Sequence, residues 1–207
     1  MERGKEDTWM GQSPLVLEKD MSVININHNL IFIRVPRTAS TSIGNVSFIG
    51  NGSHTTADDI RRIMYRNIIG LTYAEMFKFG FVRNPWDRLV SMCFYKKNYG
   101  AHAVDKESFN KYVESMDKSN LKYWRFPQWR YLCNKKGEIS GDFVGRYENL
   151  QEDWEKICQK LGMYEDLQRL NVTKHPPYKE LYTDKSIEKV AELYKEDIEI
   201  FNYKFDM

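Results

Sequence analysis

Asn29-Leu30-Ile31-Phe32-Ile33-Arg34-Val35-Pro36-Arg37-Thr38-Ala39-Ser40-Thr41-Ser42-Ile43 is the stretch that decides the fold. Leu30 to Val35 is a short apolar, β-branched run bounded by polar residues, which predicts a buried strand. Pro36 ends it, because proline has no N–H to give to a sheet ladder. A cation follows, Arg37, then the small residues Thr38, Ala39, Ser40, Thr41 and Ser42, with a short helix predicted from about Thr41 to Phe48. A strand, a tight loop of small residues and a helix start together make a place to hold an anion. Backbone N–H groups converge there and the helix dipole favours negative charge. The hydroxyls of Ser40, Thr41 and Ser42 add donors, and Arg37 adds a permanent charge on a fork that matches phosphate. The loop is not a Walker A loop, since it lacks G-x-x-x-x-G-K-[ST] and has no glycine before Gly44. Taken alone, these residues also fit a plain strand, turn and helix with exposed hydroxyls.

Further along, Phe77 to Val82 predicts a second strand, which runs into Arg83-Asn84-Pro85-Trp86-Asp87-Arg88-Leu89-Val90-Ser91. Asn84 suits an N-cap, Pro85 the first helical position and Asp87 the first turn. Trp86, Leu89, Val90, Cys93, Phe94 and Lys97 recur at helical spacing and form the buried side, while Ser91 projects off that stripe toward a ligand. Open α/β sheets bind ligands at the carboxyl ends of their strands, so both cationic loops belong on one edge of one sheet. Read alone, this block also fits a capped helix whose Arg83 and Arg88 form ordinary salt bridges.

Between the blocks, Thr56 and Asp59 resemble a capping box ahead of a helix reaching about Asn67, with Ile60, Ile63 and Met64 inward. Ser108 is expected to cap a helix that buries Phe109, Tyr112, Val113 and Met116. The aromatic and cationic segment Leu121 to Cys133, with Tyr123, Trp124, Arg125, Phe126, Trp129, Arg130 and Tyr131, fits either an acceptor surface or a lid packed on the core. Asp142 to Tyr147 predicts a third strand, followed by a helix with Trp154, Ile157, Cys158 and Leu161 inward that ends at Gly162. Arg146 and Glu148 fit a structural ion pair. The prolines of Asn171 to Tyr178 exclude a helix there. Ser186 to about Phe201 predicts the last helix.

Ile31 to Ile43 resembles the 5′-phosphosulfate-binding loop of the PAPS-dependent sulfotransferases of the carbohydrate type (family 2), which use 3′-phosphoadenosine-5′-phosphosulfate (PAPS). Their usual P-K-T-[GA]-[GS]-T-S has Arg37 in place of its lysine here. Phe79 to Ser91 resembles the family's 3′-phosphate-binding element, in which Arg83 and Ser91 occupy the gripping positions. The resemblance covers roughly Asn29 to Phe205. It implies a three-layer α/β sandwich with a mostly parallel central sheet, like that of P-loop nucleotide kinases, and sulfuryl transfer to a hydroxyl, most simply of a carbohydrate. It implies that Arg37, Thr38, Ala39, Ser40, Thr41, Ser42, Arg83 and Ser91 bind the donor. In relatives a loop near residues 171–178 closes over the nucleotide, so Lys174 or His175 is expected to reach a phosphate and Tyr178 to stack on adenine. Arg37 stabilises the leaving group by charge but, unlike lysine, does not protonate it.

Such a transfer needs a base opposite the leaving group, and histidine suits that near neutral pH. Of the four histidines, His28 lies before the first strand, His102 in a loop and His175 in the expected nucleotide lid. His54, just before a helix start in an H-x-T-A-x-x-I context, is the favoured base, with the helix dipole lowering its pKa. Failing histidine, an aspartate or glutamate takes the role. No metal is required in principle, and no metal-ligand cluster appears.

The totals agree with a single globular domain over residues 21–207, with 1–20 a loosely ordered extension. A net charge of +2 gives no argument for nucleic acid. Cys93, Cys133 and Cys158 are too few and too widely spaced for a disulfide framework and point to a reducing compartment. No run is long and apolar enough for a transmembrane helix, and no apolar core of a signal peptide is visible, so a cytoplasmic protein without membrane contact is expected. Oligomeric state and acceptor are not legible. Two other readings remain, an ATP-dependent kinase and a non-catalytic nucleotide- or glycan-binding module.

Overall fold

The structure, a computed structural model, describes residues 23–50, 52–67, 73–95, 105–121, 125–170 and 172–205. Its centre is a four-stranded sheet in the order β1-β2-β3-β4, formed by Val23–Asn25, Leu30–Ile33, Phe77–Val82 and Phe143–Arg146. β2, β3 and β4 are parallel, with Ile33 opposite Gly80 and Val82 opposite Arg146. β1 is antiparallel to β2 through a tight turn in which Asn29 takes φ 53. Sequence patterning missed β1, because a three-residue strand is too short to show a period.

Parallel strands need crossovers, and helices supply them. Between β2 and β3 come α1 (Ser40–Gly44) and α2 (Ala57–Asn67). Between β3 and β4 come α3 (Pro85–Cys93), α4 (Lys106–Glu114) and the short α5 (Trp129–Leu132). After β4 follow α6 (Leu150–Leu161), α7 (Tyr178–Leu181), α8 (Asp184–Leu193) and α9 (Lys195–Phe201). The result is a mixed α/β fold with helices on both faces of the sheet.

The continuous apolar run of β2 has a physical reason: both its faces are covered. Leu30 and Phe32 pack with Ile43, Trp154 and Ile157 on one side. Ile31, Ile33 and Val35 pack with Ala57, Ile60 and Met64 on the other. The predicted stripe of α3 is buried in a further cluster, where Trp86, Leu89, Val90 and Cys93 meet Phe109, Val113, Val190 and Leu193. Lys97 and His102, and the aromatics Tyr123 and Trp124, lie outside the described residues. Cys93, Cys133 and Cys158 are buried free thiols. Burial pushes the Cys93 thiol up to about 12. Among the described residues no helix is long and apolar enough to cross a membrane.

Several boundaries differ from the sequence expectation. Asp105 caps α4 and accepts the Ser108 N–H at 2.8 Å, so Ser108 is the third residue of a capping box rather than the cap. The single helix expected from Ser186 is two, because Tyr194 at φ −119 leaves the helical region. Arg146 and Glu148 do not pair with each other. Arg146 stacks 4.6 Å over the Tyr203 ring, and Glu148 accepts the Tyr203 hydroxyl at 3.0 Å.

Gly145 lets β4 approach the Phe81 ring. A Cβ there would stand 2.7 Å from Cδ1 and 2.9 Å from Cζ of Phe81, which is itself fully buried. Gly145→Ala is expected to destabilise the protein by about 1–3 kcal/mol through overpacking, read as a lower urea midpoint. An unchanged midpoint would contradict this packing.

Candidate anion-binding site

The loop after β2 is held from below before it can present anything to solvent. The carbonyl of Pro36 accepts the Nε–H of buried Arg88 at 3.0 Å, and the Thr38 hydroxyl donates to the Val35 carbonyl at 3.0 Å. Arg37 (φ 67) and Ala39 (φ 62) both sit in the left-handed region. Non-glycine residues there cost on the order of 1 kcal/mol each and persist only where the surroundings over-determine them. The two anchors are that over-determination. The chain then turns into α1, whose start lines a cavity of about 440 Å³ at the carboxyl ends of β2 and β3.

Arg37, Ala39, Ser40, Thr41, Ser42, Arg83 and Ser91 all line this cavity. The two sequence blocks meet directly. Arg37 donates from Nε (3.1 Å) and Nη2 (2.9 Å) to the Ser91 hydroxyl oxygen, and Arg83 Nη1 lies 3.4 Å from the Arg37 carbonyl. Because Ser91 accepts from Arg37, its own hydroxyl proton is left for a ligand. Arg83 pairs with Asp87 at 2.7 Å and lies 4.1 Å over the Tyr147 ring, while Arg37 lies 4.1 Å over Tyr95. Burial, offset in part by the tyrosines, lowers the Arg37 pKa to about 10, so it stays charged at neutral pH.

Not every expected residue reaches the cavity. Thr38 is 1% exposed and turned inward to Val35. Lys174 is exposed and lies outside the lining, between Thr173 and His175, which do line it. Tyr178 is not among the lining residues; its ring meets Phe205 edge-on at 5.5 Å. Sequence reasoning passed over Tyr147, Arg169 and Thr173. Thr173 accepts from Arg37 Nη2, and the Leu170 N–H donates to the Ser42 hydroxyl at 3.1 Å, so Arg169, Leu170, Val172 and Thr173 are strapped along the cavity. For Thr173 the sequence signal was the proline-ended, non-helical run from Asn171, which gave a loop but not its contacts; Tyr147 and Arg169 lie outside that run. Among the described residues no group of three or more His, Cys, Asp or Glu could hold a metal ion.

His54 lies off the cavity lining, near the end of β2. Its Nδ1 is 2.9 Å from the Arg34 carbonyl. A carbonyl only accepts, so Nδ1 carries the proton and Nε2 keeps its lone pair. Burial lowers its pKa from 6.5 to about 4, reinforced by the charges of Arg34 and Arg88. The depression therefore comes from desolvation and cations rather than from the helix start. Folding favours neutral His54, so this contribution to stability is present above about pH 6.5 and lost as the pH falls toward 4. A proton NMR titration should place the His54 midpoint near 4. A midpoint near 6.5 would contradict the buried setting.

Comparison with known sequences shows the family. A protein of Archaeoglobus fulgidus described as uncharacterized is 37% identical over 123 residues, 57% of this chain and 96% of that protein. The profile described as "Sulfotransferase family" matches residues 20–204, nearly the whole chain and both blocks that line the cavity. The chain belongs to the sulfotransferase family.

Proposed function

We propose that the protein transfers a sulfuryl group from PAPS to a hydroxyl, with the 440 Å³ cavity as the donor site. The observation that carries this reading is the convergence of Arg37, Arg83 and Ser91, drawn from blocks 46 residues apart, on one cavity wall. PAPS presents phosphate at both ends of its ribose, and a site with a cation for each is what such a ligand requires. The cavity size suits a nucleotide. In this reading the fold is the P-loop nucleotide-kinase-like sulfotransferase fold, and the loop from Arg37 to Ser42 holds the 5′-phosphosulfate. Arg83 and Ser91 hold the 3′-phosphate, and the strap carrying Arg169, Thr173 and His175 covers the nucleotide.

The reaction is an in-line displacement at sulfur. A bond forms from the acceptor oxygen to sulfur as the bond from sulfur to the bridging phosphate oxygen breaks. The acceptor proton goes to a base, and adenosine 3′,5′-bisphosphate leaves. Positioning and charge stabilisation carry such transfers. Arg37, still protonated at neutral pH, stabilises charge on the leaving oxygen without giving up its proton. To do so it must exchange the Ser91 and Thr173 hydroxyls for the ligand. His54 remains the proposed base, since its neutral form carries a lone pair on Nε2, though it lies off the cavity lining and its low pKa makes it a weak base. The carbohydrate acceptor rests on the carbohydrate-type loop alone.

Calorimetry is expected to show binding of adenosine 3′,5′-bisphosphate and none of ATP; equal affinity for both, or for neither, would overturn the donor assignment. Arg83→Ala should weaken bisphosphate binding by about 1.5–3 kcal/mol, the range for a hydrogen bond to a charged group. His54→Ala should abolish transfer of radiolabelled sulfate while leaving bisphosphate affinity unchanged, and surviving transfer would move the base elsewhere.

A further inference from the structure

Arg83 is the first residue beyond β3, whose last ladder partner pairs Val82 with Arg146. Its backbone N–H and C=O have therefore run past the sheet, yet neither is left unpaired. Gln128 supplies both partners from a segment 45 residues away. Its Oε1 accepts the Arg83 N–H at 2.9 Å and its Nε2 donates to the Arg83 carbonyl at 2.8 Å. One carboxamide thus stands in for a neighbouring strand at a single residue.

Gln128 is fully buried, so its amide has no water to fall back on. It is itself fixed. Its backbone N–H and that of Trp129 donate to the two carboxylate oxygens of Asp197 on α9, each at 2.8 Å, and Asp197 is also fully buried. On the other side of Arg83, the Asn84 N–H donates to Glu148 Oε1 at 2.6 Å. The peptide that carries the Arg83 side chain is gripped on both flanks, and the guanidinium then reaches the cavity between Asp87 and Tyr147.

We propose that Gln128 is a positioning residue for the donor site, its carboxamide setting the Arg83 backbone and hence the direction of the guanidinium. The importance of that direction for binding rests on the reading of Arg83 as a phosphate-binding group. Gln128 touches no ligand and acts only through Arg83.

Two measurements on Gln128→Met, which keeps length and volume but removes both hydrogen-bonding atoms, decide it. The first needs no ligand. The Arg83 Nε–H resonance, which the Tyr147 ring 4.1 Å below should displace in the parent protein, is expected to move toward the position of an unstacked arginine, while that of Arg88 stays. An unmoved Arg83 resonance overturns the proposal. The second is bisphosphate calorimetry in a double-mutant cycle. Gln128→Met should lower affinity about tenfold in the parent and by less than about twofold in an Arg83→Ala background. An equal loss in both backgrounds means general damage to the fold and overturns the proposal. A parent that binds no bisphosphate counts against the function reading alone, since the resonance still decides the positioning role. Where Gln128→Met does not fold, Gln128→Glu, which keeps the shape and the acceptor but not the Nε2 donor, takes its place with the same expected shift of the Arg83 resonance.

Discussion

Arg88 is 1% exposed, and among the described residues its guanidinium hydrogen-bonds to backbone carbonyls of two separate segments. Nε reaches Pro36 at 3.0 Å, and both terminal nitrogens reach Phe126 at 3.1 Å. A buried cation is costly unless its donors are satisfied and an anion is near. Here carbonyls take the donors and buried Asp197 supplies the opposite charge. Burial pushes the Asp197 carboxyl up to about 6, against the pull of Arg88 and two backbone N–H groups, so it is mainly ionised at neutral pH. The loop after β2, α3 and the Phe126–Trp129 segment are thereby locked to one another through the protein interior.

That lock explains how a loop without glycine adopts a conformation that glycine usually supplies. Arg37 and Ala39 are held left-handed because Pro36 and Thr38 are pinned on their inner side. The strain places the start of α1 and the Arg37 side chain on the same cavity as Arg83 and Ser91. Arg37 then stacks on Tyr95 and rests on Ser91 and Thr173, so its charge is shared with neighbouring polar groups. In the proposed function, an anion would replace these hydrogen bonds with a stronger, charge-assisted set.

What was legible in the sequence was what is local. The apolar run with Pro36 behind it announces β2 and its turn, and Asn84 with Pro85 announces α3 by cap chemistry that needs no partner. Those two signals place Arg37, Arg83 and Ser91 on one sheet edge, which is where they lie. What escaped depends on distant chain returning to the site. Nothing around Gln128 shows that its amide will complete Arg83, and nothing around Thr173 shows that it will meet Arg37. Tyr178 has the chemistry to stack on a nucleotide base, and its edge-on contact with Phe205 could not be read from the residues around it. His54 had the right spacing, and tertiary burial rather than the helix start set its charge state.

The central claim is that the two cationic blocks form one clamp for a ribose bisphosphate. A crystal structure with adenosine 3′,5′-bisphosphate bound tests it most directly. The account predicts the 3′-phosphate on Arg83 and Ser91, the 5′-phosphate on the loop from Arg37 to Ser42, and the Arg37 guanidinium lifted from Ser91 onto the ligand. A nucleotide bound outside this cavity, or inside it with Arg37 still resting on Ser91 and neither phosphate touching Arg83, would contradict it.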